Sequence, residues 1–274
     1  MAKQLPFITR IEQLYPSLSP NGRKIANYLQ QQPIAILSNS VAEIALQTHT
    51  SKATVSRFFR QLGYESHQDV KLELRSLRES GYPLFTQYND NNYIQQELQQ
   101  VARGLESLDQ QQLDNLVEAI LYAPKICIIG FRNSFPVAMH LRQQLLQVRP
   151  GVNLLPHPGQ SLGEEISQIE ADTLVIMVGF RRRPKQFEPL LNALSTQCVT
   201  ALITDPSGQL YANQVKHFVM CQLGQEMAMD SYACAMGLVS ILANRVLSRL
   251  GTKGSERIKE VANHYKQLDE LERN

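Results

Sequence analysis

The sequence predicts a chain of two parts: a small all-α head carrying a helix-turn-helix, then a larger α/β domain built on a parallel sheet between helices. Two observations carry this expectation. Within Val41–Tyr64, a short apolar stripe, a polar turn and a second stripe with i, i+3, i+4, i+7 spacing follow one another. From Pro124 onward, short continuous apolar runs alternate with helical patterns, as strands buried on both faces require. The boundaries follow as a head over residues 1–80, a linker over 81–95, the α/β domain over 96–250 and a C-terminal helix over 251–274.

In the head, Leu14 and Leu18 precede a helix start with Ser19 as N-cap and Pro20 at N1, and Ile25, Ala26 and Leu29 form the inner stripe. Pro33 stops that helix, and the apolar piece Ile34 to Leu37 leads to Ser40, the cap of the first motif helix with Val41, Ile44 and Ala45 inward. The turn Thr48 to Thr50 is polar, and Ser51 caps the second motif helix. Val55, Phe58, Phe59 and Leu62 fix its buried face, and Gly63 closes it as a C′ residue. Asp69 to Leu77 continues helical spacing through Val70, Leu72, Leu74 and Leu77.

Opposite the buried face, the second motif helix carries Ser51, Lys52, Thr54, Ser56, Arg57 and Arg60. A recognition helix needs such a face, because Arg and Lys reach guanine edges in the major groove and small hydroxyls approach bases or phosphates closely. The plainer alternative is a pair of amphipathic helices with a solvated basic face. Charge favours the first: residues 1–80 hold ten Lys+Arg against six Asp+Glu, whereas the remainder holds seventeen against nineteen.

Several classes are excluded by composition. No apolar run approaches the length of a membrane span, and the start Met-Ala-Lys-Gln-Leu-Pro lacks a signal peptide's hydrophobic region, so a cytoplasmic protein is expected. Cys127, Cys198, Cys221 and Cys234 have no close pairing in sequence and suit buried thiols. Neither they nor the six histidines have metal-ligand spacing, and no cofactor is implied.

After the linker, with its Gly81, Pro83 and Asn-Asp-Asn-Asn run, Tyr93 to about Tyr122 reads as helix despite its Gln content. Lys125–Gly130 is a first strand, Ser134 to Gln147 a helix, Val152–Leu155 a second strand, and Ser161–Glu164 a capping box. Thr173–Phe180 is a third strand, Gln186 to Leu194 a helix, Val199–Thr204 a fourth strand and Val215 to Cys221 a fifth. Ser231 to Leu250 is a long, nearly apolar helix, and Gly251 to Asn274 is amphipathic through Ile258, Val261, Ala262, Tyr265, Leu268 and Leu271, suited to packing against a partner.

Residues 14 to 78 resemble the N-terminal domain of RpiR-type bacterial transcriptional regulators. The resemblance rests on Leu18-Ser19, Ile25–Leu29, Val41–Ala45 and above all Ser51–Tyr64. Residues from about 100 to 250 resemble the SIS (sugar isomerase) domain that usually accompanies such a head. The implied fold is flavodoxin-like, a five-stranded parallel sheet between helices, with ligands bound where the strand order reverses, beyond the first and third strands.

Both loops at that place depart from the pattern implied. Where Gly-x-Gly-x-Ser stands in the family, this chain has Gly130-Phe131-Arg132-Asn133-Ser134. Where Ser-x-Ser-Gly-x-Thr holds a phosphate, it has Gly179-Phe180-Arg181-Arg182-Arg183-Pro184. One reading is that a hydroxyl cradle has become a guanidinium site for a carboxylate or sugar-phosphate-like anion, formed by Arg132, Asn133, Ser134, Gly179, Arg181, Arg182 and Arg183. The other is that the site has decayed and these arginines pair with acids or sit in solvent. His157 and Gln160 could line the same pocket, and Glu226 and Ser231 lie where SIS proteins have an acid and a hydroxyl, although Ser231 is equally a helix cap.

The resemblance implies a DNA-binding transcription factor, a repressor by family habit, that binds a double-stranded operator as a homodimer or homotetramer and responds to a small anionic effector. The alternatives are a SIS body that serves only as a dimerisation scaffold, and a sugar-phosphate isomerase. The latter needs a phosphate cradle and a placed general base, and Glu226 is the single acid that can be placed.

Overall fold

The computed structural model describes residues 7–31, 35–79, 93–159, 161–224 and 229–271. They belong to two units, one comprising Met1–Ile94 and Gln225–Asp230 and the other Gln95–Gly224 and Ser231–Asn274. The expected linker lies outside the described residues apart from 93–95, which open a helix, and so do Pro33, Ile34, Gln160 and Glu226.

The first unit is all-α: α1 (Phe7–Leu14), α2 (Pro20–Gln31), α3 (Ala35–Ser38), α4 (Val41–Gln47), α5 (Lys52–Gln61) and α6 (His67–Glu79). The caps act as the sequence implies. Ser19 Oγ accepts from Gly22 N at 3.1 Å, and Ser51 Oγ accepts from Thr54 N at 3.1 Å. Ser40 and Glu43 close a reciprocal capping box at the start of α4. Gly63 follows α5 with φ +86°, a left-handed conformation that costs glycine nothing.

Two features differ from expectation. Helix α1 precedes Leu14, and its Phe7 and Ile11 are wholly buried among Ile25, Leu29, Phe58, Phe59 and Tyr64. Leu72, placed by spacing on the inner stripe of α6, is 55% exposed, because Val70 and Leu74 already fill that face.

The second unit begins with α7 (Tyr93–Glu106) and α8 (Gln110–Tyr122). The expected continuous helix breaks at Asp109, whose carboxylate accepts from Gln111 N and Gln112 N and so starts α8 afresh. There follow β1 (Lys125–Gly130), α9 (Ser134–Val148), β2 (Val152–Leu155), α10 (Leu162–Ser167), β3 (Thr173–Gly179), α11 (Phe187–Gln197), β4 (Val199–Thr204), β5 (His217–Met220), α12 (Ala233–Leu250) and α13 (Thr252–Leu268). Strand β5 is shorter than expected, and Ser161 stands at the N-cap of α10 without a side-chain capping bond, so the capping box is not made.

All strands are parallel, in the order β2-β1-β3-β4-β5. The strand order therefore reverses between β1 and β3, as the flavodoxin-like expectation requires. The two-residue period sends Ile126, Ile128, Leu174, Ile176 and Val178 toward α8, α9 and α12, while Cys127, Ile129, Val175 and Met177 face α11. Gly130 is needed for the tight seat of α9, since a Cβ there would lie 2.7 Å from Ala138 Cβ.

Among the described helices, α12 is long and apolar enough to cross a membrane, with a mean hydropathy of 1.3 over 18 residues, which the absence of a continuous apolar run did not foretell. Its Ala235, Leu238, Val239, Leu242 and Val246 are buried in the core beside α8 and α9.

In the first unit, His67 stacks on Phe59 with ring centroids 5.0 Å apart, and its Nε2 donates to Ile36 O at 2.8 Å. Burial lowers its pKa, the bond to Ile36 raises it in part, and nearby Lys71 lowers it further. A histidine depressed in the folded state contributes stability above its unfolded pKa of about 6.5 and loses it as pH falls through the folded value. Stability of the head is thus expected to decline on acidification below about pH 6.5, and His67→Gln to flatten that slope in denaturant titrations at stepped pH.

Candidate functional site

Two groups of side chains stand out, one in each unit. On α5, Val55, Phe58 and Phe59 are buried, with Leu62 beyond, and they hold the helix by one face. The opposite face presents Lys52, Arg57 and Arg60 to solvent, with Thr54 and Ser56 half-buried at its margins. Lys52, Ser56 and Arg60 are four residues apart and so lie in one row, with Arg57 beside it. Ser51 is exposed, but its hydroxyl is partly committed, capping α5 and sharing a 2.8 Å hydrogen bond with Thr54 Oγ1.

Ala53, exposed next to Lys52, was missed by sequence reasoning. A small apolar side chain at the start of a recognition helix suits contact with a thymine methyl, and only its position between two chemically informative neighbours could have drawn notice. The preceding turn is anchored by Thr48, whose buried hydroxyl donates to Ile44 O at 2.8 Å, while His49 takes φ +50°.

In the second unit, the loops after β1 and β3 start side by side, since Gly130 pairs with Val178 in the parallel register. They are stitched together by Phe180 N, which donates to Ser134 Oγ at 3.0 Å. Ser134 is therefore buried and holds one loop against the other.

Arg183 is also used differently from expectation. Its Nε donates to Gly179 O at 2.9 Å, Nη1 to Ser207 Oγ at 3.0 Å, and Nη2 to Thr204 Oγ1 at 2.6 Å and Asp205 Oδ1 at 2.9 Å. Its guanidinium lies 5.6 Å from the ring centres of both Phe187 and Tyr211. With side-chain exposures of 12% for Arg183 and 2% for Asp205, this is a buried, saturated ion pair that closes the loop after β3. Burial lowers the Arg183 pKa, and Asp205 opposes that effect. Gly179 belongs to the same network: Thr204 Oγ1 donates to its carbonyl at 2.7 Å, and a Cβ there would lie 2.4 Å from the Phe187 ring.

The remaining arginines are placed otherwise. Arg132 and Arg182 are exposed, and each has a positive φ, +54° and +63°. These are the positions where the pattern implied by the resemblance has glycine, so the left-handed backbone is kept although the residue is not. Arg181 is half-buried, while Asn133 is exposed at the N-cap of α9 without a side-chain capping bond. His157 is exposed on the loop after β2.

The loop before α12 reaches the same end of the sheet, where Tyr232 meets Phe180 edge-on with centroids 5.7 Å apart. Beside Tyr232, Ser231 Oγ donates to Glu97 Oε1 and accepts from Ala233 N at 3.2 Å, so it serves as a local cap and a tie to α7. Glu97 was not foreseen, because no sequence signal links residues separated by 134 positions. Among the described residues no cluster of metal-binding side chains occurs.

These assignments predict opposite effects for neighbouring arginines. Asp205→Ala leaves a buried guanidinium uncompensated and is expected to destabilise the unit by about 3–5 kcal/mol. Arg132→Gly and Arg182→Gly relieve left-handed strain against glycine's larger unfolded-state entropy, giving a change between zero and about 1 kcal/mol in favour of folding. Chemical denaturation of the three variants checks both.

Several known proteins are similar to this chain. Residues 6–79 match the model of the helix-turn-helix domain, rpiR family. An uncharacterized HTH-type transcriptional regulator in the aarA 3′ region of Providencia stuartii is 24% identical over 222 residues, covering 77% of this chain and 78% of that protein. The NanR protein of Vibrio vulnificus, solved in complex with ManNAc-6P, superimposes with a TM-score of 0.58 at 18% identity, covering 96% of this chain and 98% of that one. The sugar isomerase domain of an RpiR transcription factor from Sphaerobacter thermophilus gives a TM-score of 0.56 at 20% identity, covering 65% of this chain and 96% of that one. The chain thus carries a helix-turn-helix domain of the rpiR family, followed by a unit with the fold of the sugar isomerase domain.

Proposed function

We propose that this protein is a DNA-binding regulator of transcription, a repressor acting in the cytoplasm, whose second unit binds a small anion where the strand order reverses. The observation that carries the reading is the row of exposed Lys52, half-buried Ser56 and exposed Arg60, with Ala53 and Arg57 beside it, on a helix held by Val55, Phe58 and Phe59. In this reading α5 enters the major groove and Arg57 reads a base edge, while Lys52 and Arg60 engage bases or phosphates.

The excess positive charge of the head is small, so two heads in a homodimer, or dimers paired as a tetramer, supply the affinity by reading pseudo-palindromic half-sites. The relatives support regulation: the Providencia stuartii protein is named a transcriptional regulator, and NanR was captured with ManNAc-6P. The effector changes DNA affinity only by the difference in its own affinity for the two arrangements of the heads.

Arg57→Ala is expected to weaken operator binding by about 1–3 kcal/mol and to relax specificity at one position. Fluorescence anisotropy with operator and scrambled duplexes measures this, and an unchanged operator affinity removes Arg57 from the interface. A strictly monomeric sedimentation profile at full operator affinity would overturn the dimer. DNA binding that is indifferent to every small anion favours the scaffold alternative.

A further inference from the structure

At Arg132 and Arg182 a strained backbone carries side chains that serve no packing purpose. A left-handed non-glycine residue is strained, and glycine would relieve that strain at both positions. Neither side chain is buried, and among the described residues neither makes a hydrogen bond or an ion pair with a protein group. Other guanidinium groups are occupied: Arg183 with Asp205, Arg245 with Asp114, and Arg149 with the last carbonyls of α8. Strain of this kind persists where the surroundings over-determine the backbone, and it concentrates at ligand clamps.

The surroundings here do over-determine it. Phe180 N on Ser134 Oγ fixes the two loops to each other, and Arg183 Nε on Gly179 O folds the second loop back on its strand. Neighbouring strands lie about 4.8 Å apart, so two arginines on adjacent loops can address one small molecule. The start of α9 lies within the first loop and adds the positive end of a 15-residue helix.

The same loops are poor in the hydroxyls of the phosphate cradle that the resemblance implies. Residues 130–134 and 179–184 contain a single hydroxyl, that of Ser134, and it already accepts the Phe180 amide. Two forks on adjacent loops match the two ends of one dicarboxylate, each end offering a pair of oxygens to accept parallel N–H bonds, whereas a phosphomonoester offers a single such end. Building on the anion site proposed above, we infer that its ligand is a small dicarboxylate, with one carboxylate held by Arg132 and the other by Arg182. Ser134 and Arg183 are positioning residues that keep the two forks apart and aimed.

The test is a thermal-shift and calorimetric comparison of the full-length protein with succinate, acetate, inorganic phosphate and glucose 6-phosphate at constant ionic strength. Wild type, Arg132→Lys and Arg182→Lys are measured, because lysine keeps the charge and removes the fork. The expected result is binding of succinate in preference to the other three, weakened on the order of tenfold or more by either lysine. Stabilisation by phosphate or glucose 6-phosphate with none by succinate overturns the dicarboxylate and leaves the anion site standing. No response to any of the four probes overturns both. Succinate binding that both lysine variants retain in full overturns the assignment to these two arginines.

Discussion

The ion pair between Arg183 and Asp205 is the constraint on which the end of the α/β unit where the strand order reverses depends. Taking both charges out of water costs several kcal/mol per ion, and the cost is offset because every donor on the guanidinium that faces inward meets an acceptor or an aromatic ring. The pair ties the end of β3 to the end of β4, with the hydroxyl of Thr204 as the link to the Gly179 carbonyl. Once Arg183 is drawn inward, its predecessor must turn outward, and Arg182 does so with a left-handed backbone. A buried structural cation thus generates an exposed one.

The head solves a different problem with different means. Its second motif helix, α5, is short, and an isolated helix of ten residues is unstable in water. Stability comes from Phe58 and Phe59, which meet edge-on, with Phe59 against Phe7 and His67 and Phe7 in turn against Tyr64. Because the aromatic face carries the packing, the opposite face is left free for charge and small hydroxyls. Local caps at Ser40, Ser51 and Gly63 then set where each motif helix begins and ends.

What could be read from the sequence was what depends on near neighbours. Ser51 and Gly63 announce the ends of α5 because capping and a positive φ are local matters, and the strand boundaries of β1, β2 and β4 follow from continuous apolar runs. Helix α1 was missed because two inward side chains, Phe7 and Ile11, give too short a pattern to stand out. In the loop after β3, three consecutive arginines are chemically identical in sequence, and only the chain's path separates the buried Arg183 from the exposed Arg182. The bond from Ser231 to Glu97 joins the first helix of the unit to the loop before α12, a distance no pattern spans.

The strand order carries a consequence for how the protein is made. Inner strand β1 pairs with β2 close behind it, but its other edge stays open until β3, beginning at Thr173, has left the ribosome. Non-local parallel pairing is slow, since loop entropy is lost before contacts reward it, whereas a helical head rich in local contacts folds far faster. During synthesis the head therefore completes its fold while the sheet still exposes an unpaired apolar edge. That interval is when the nascent chain is most exposed to aggregation and most in need of a chaperone.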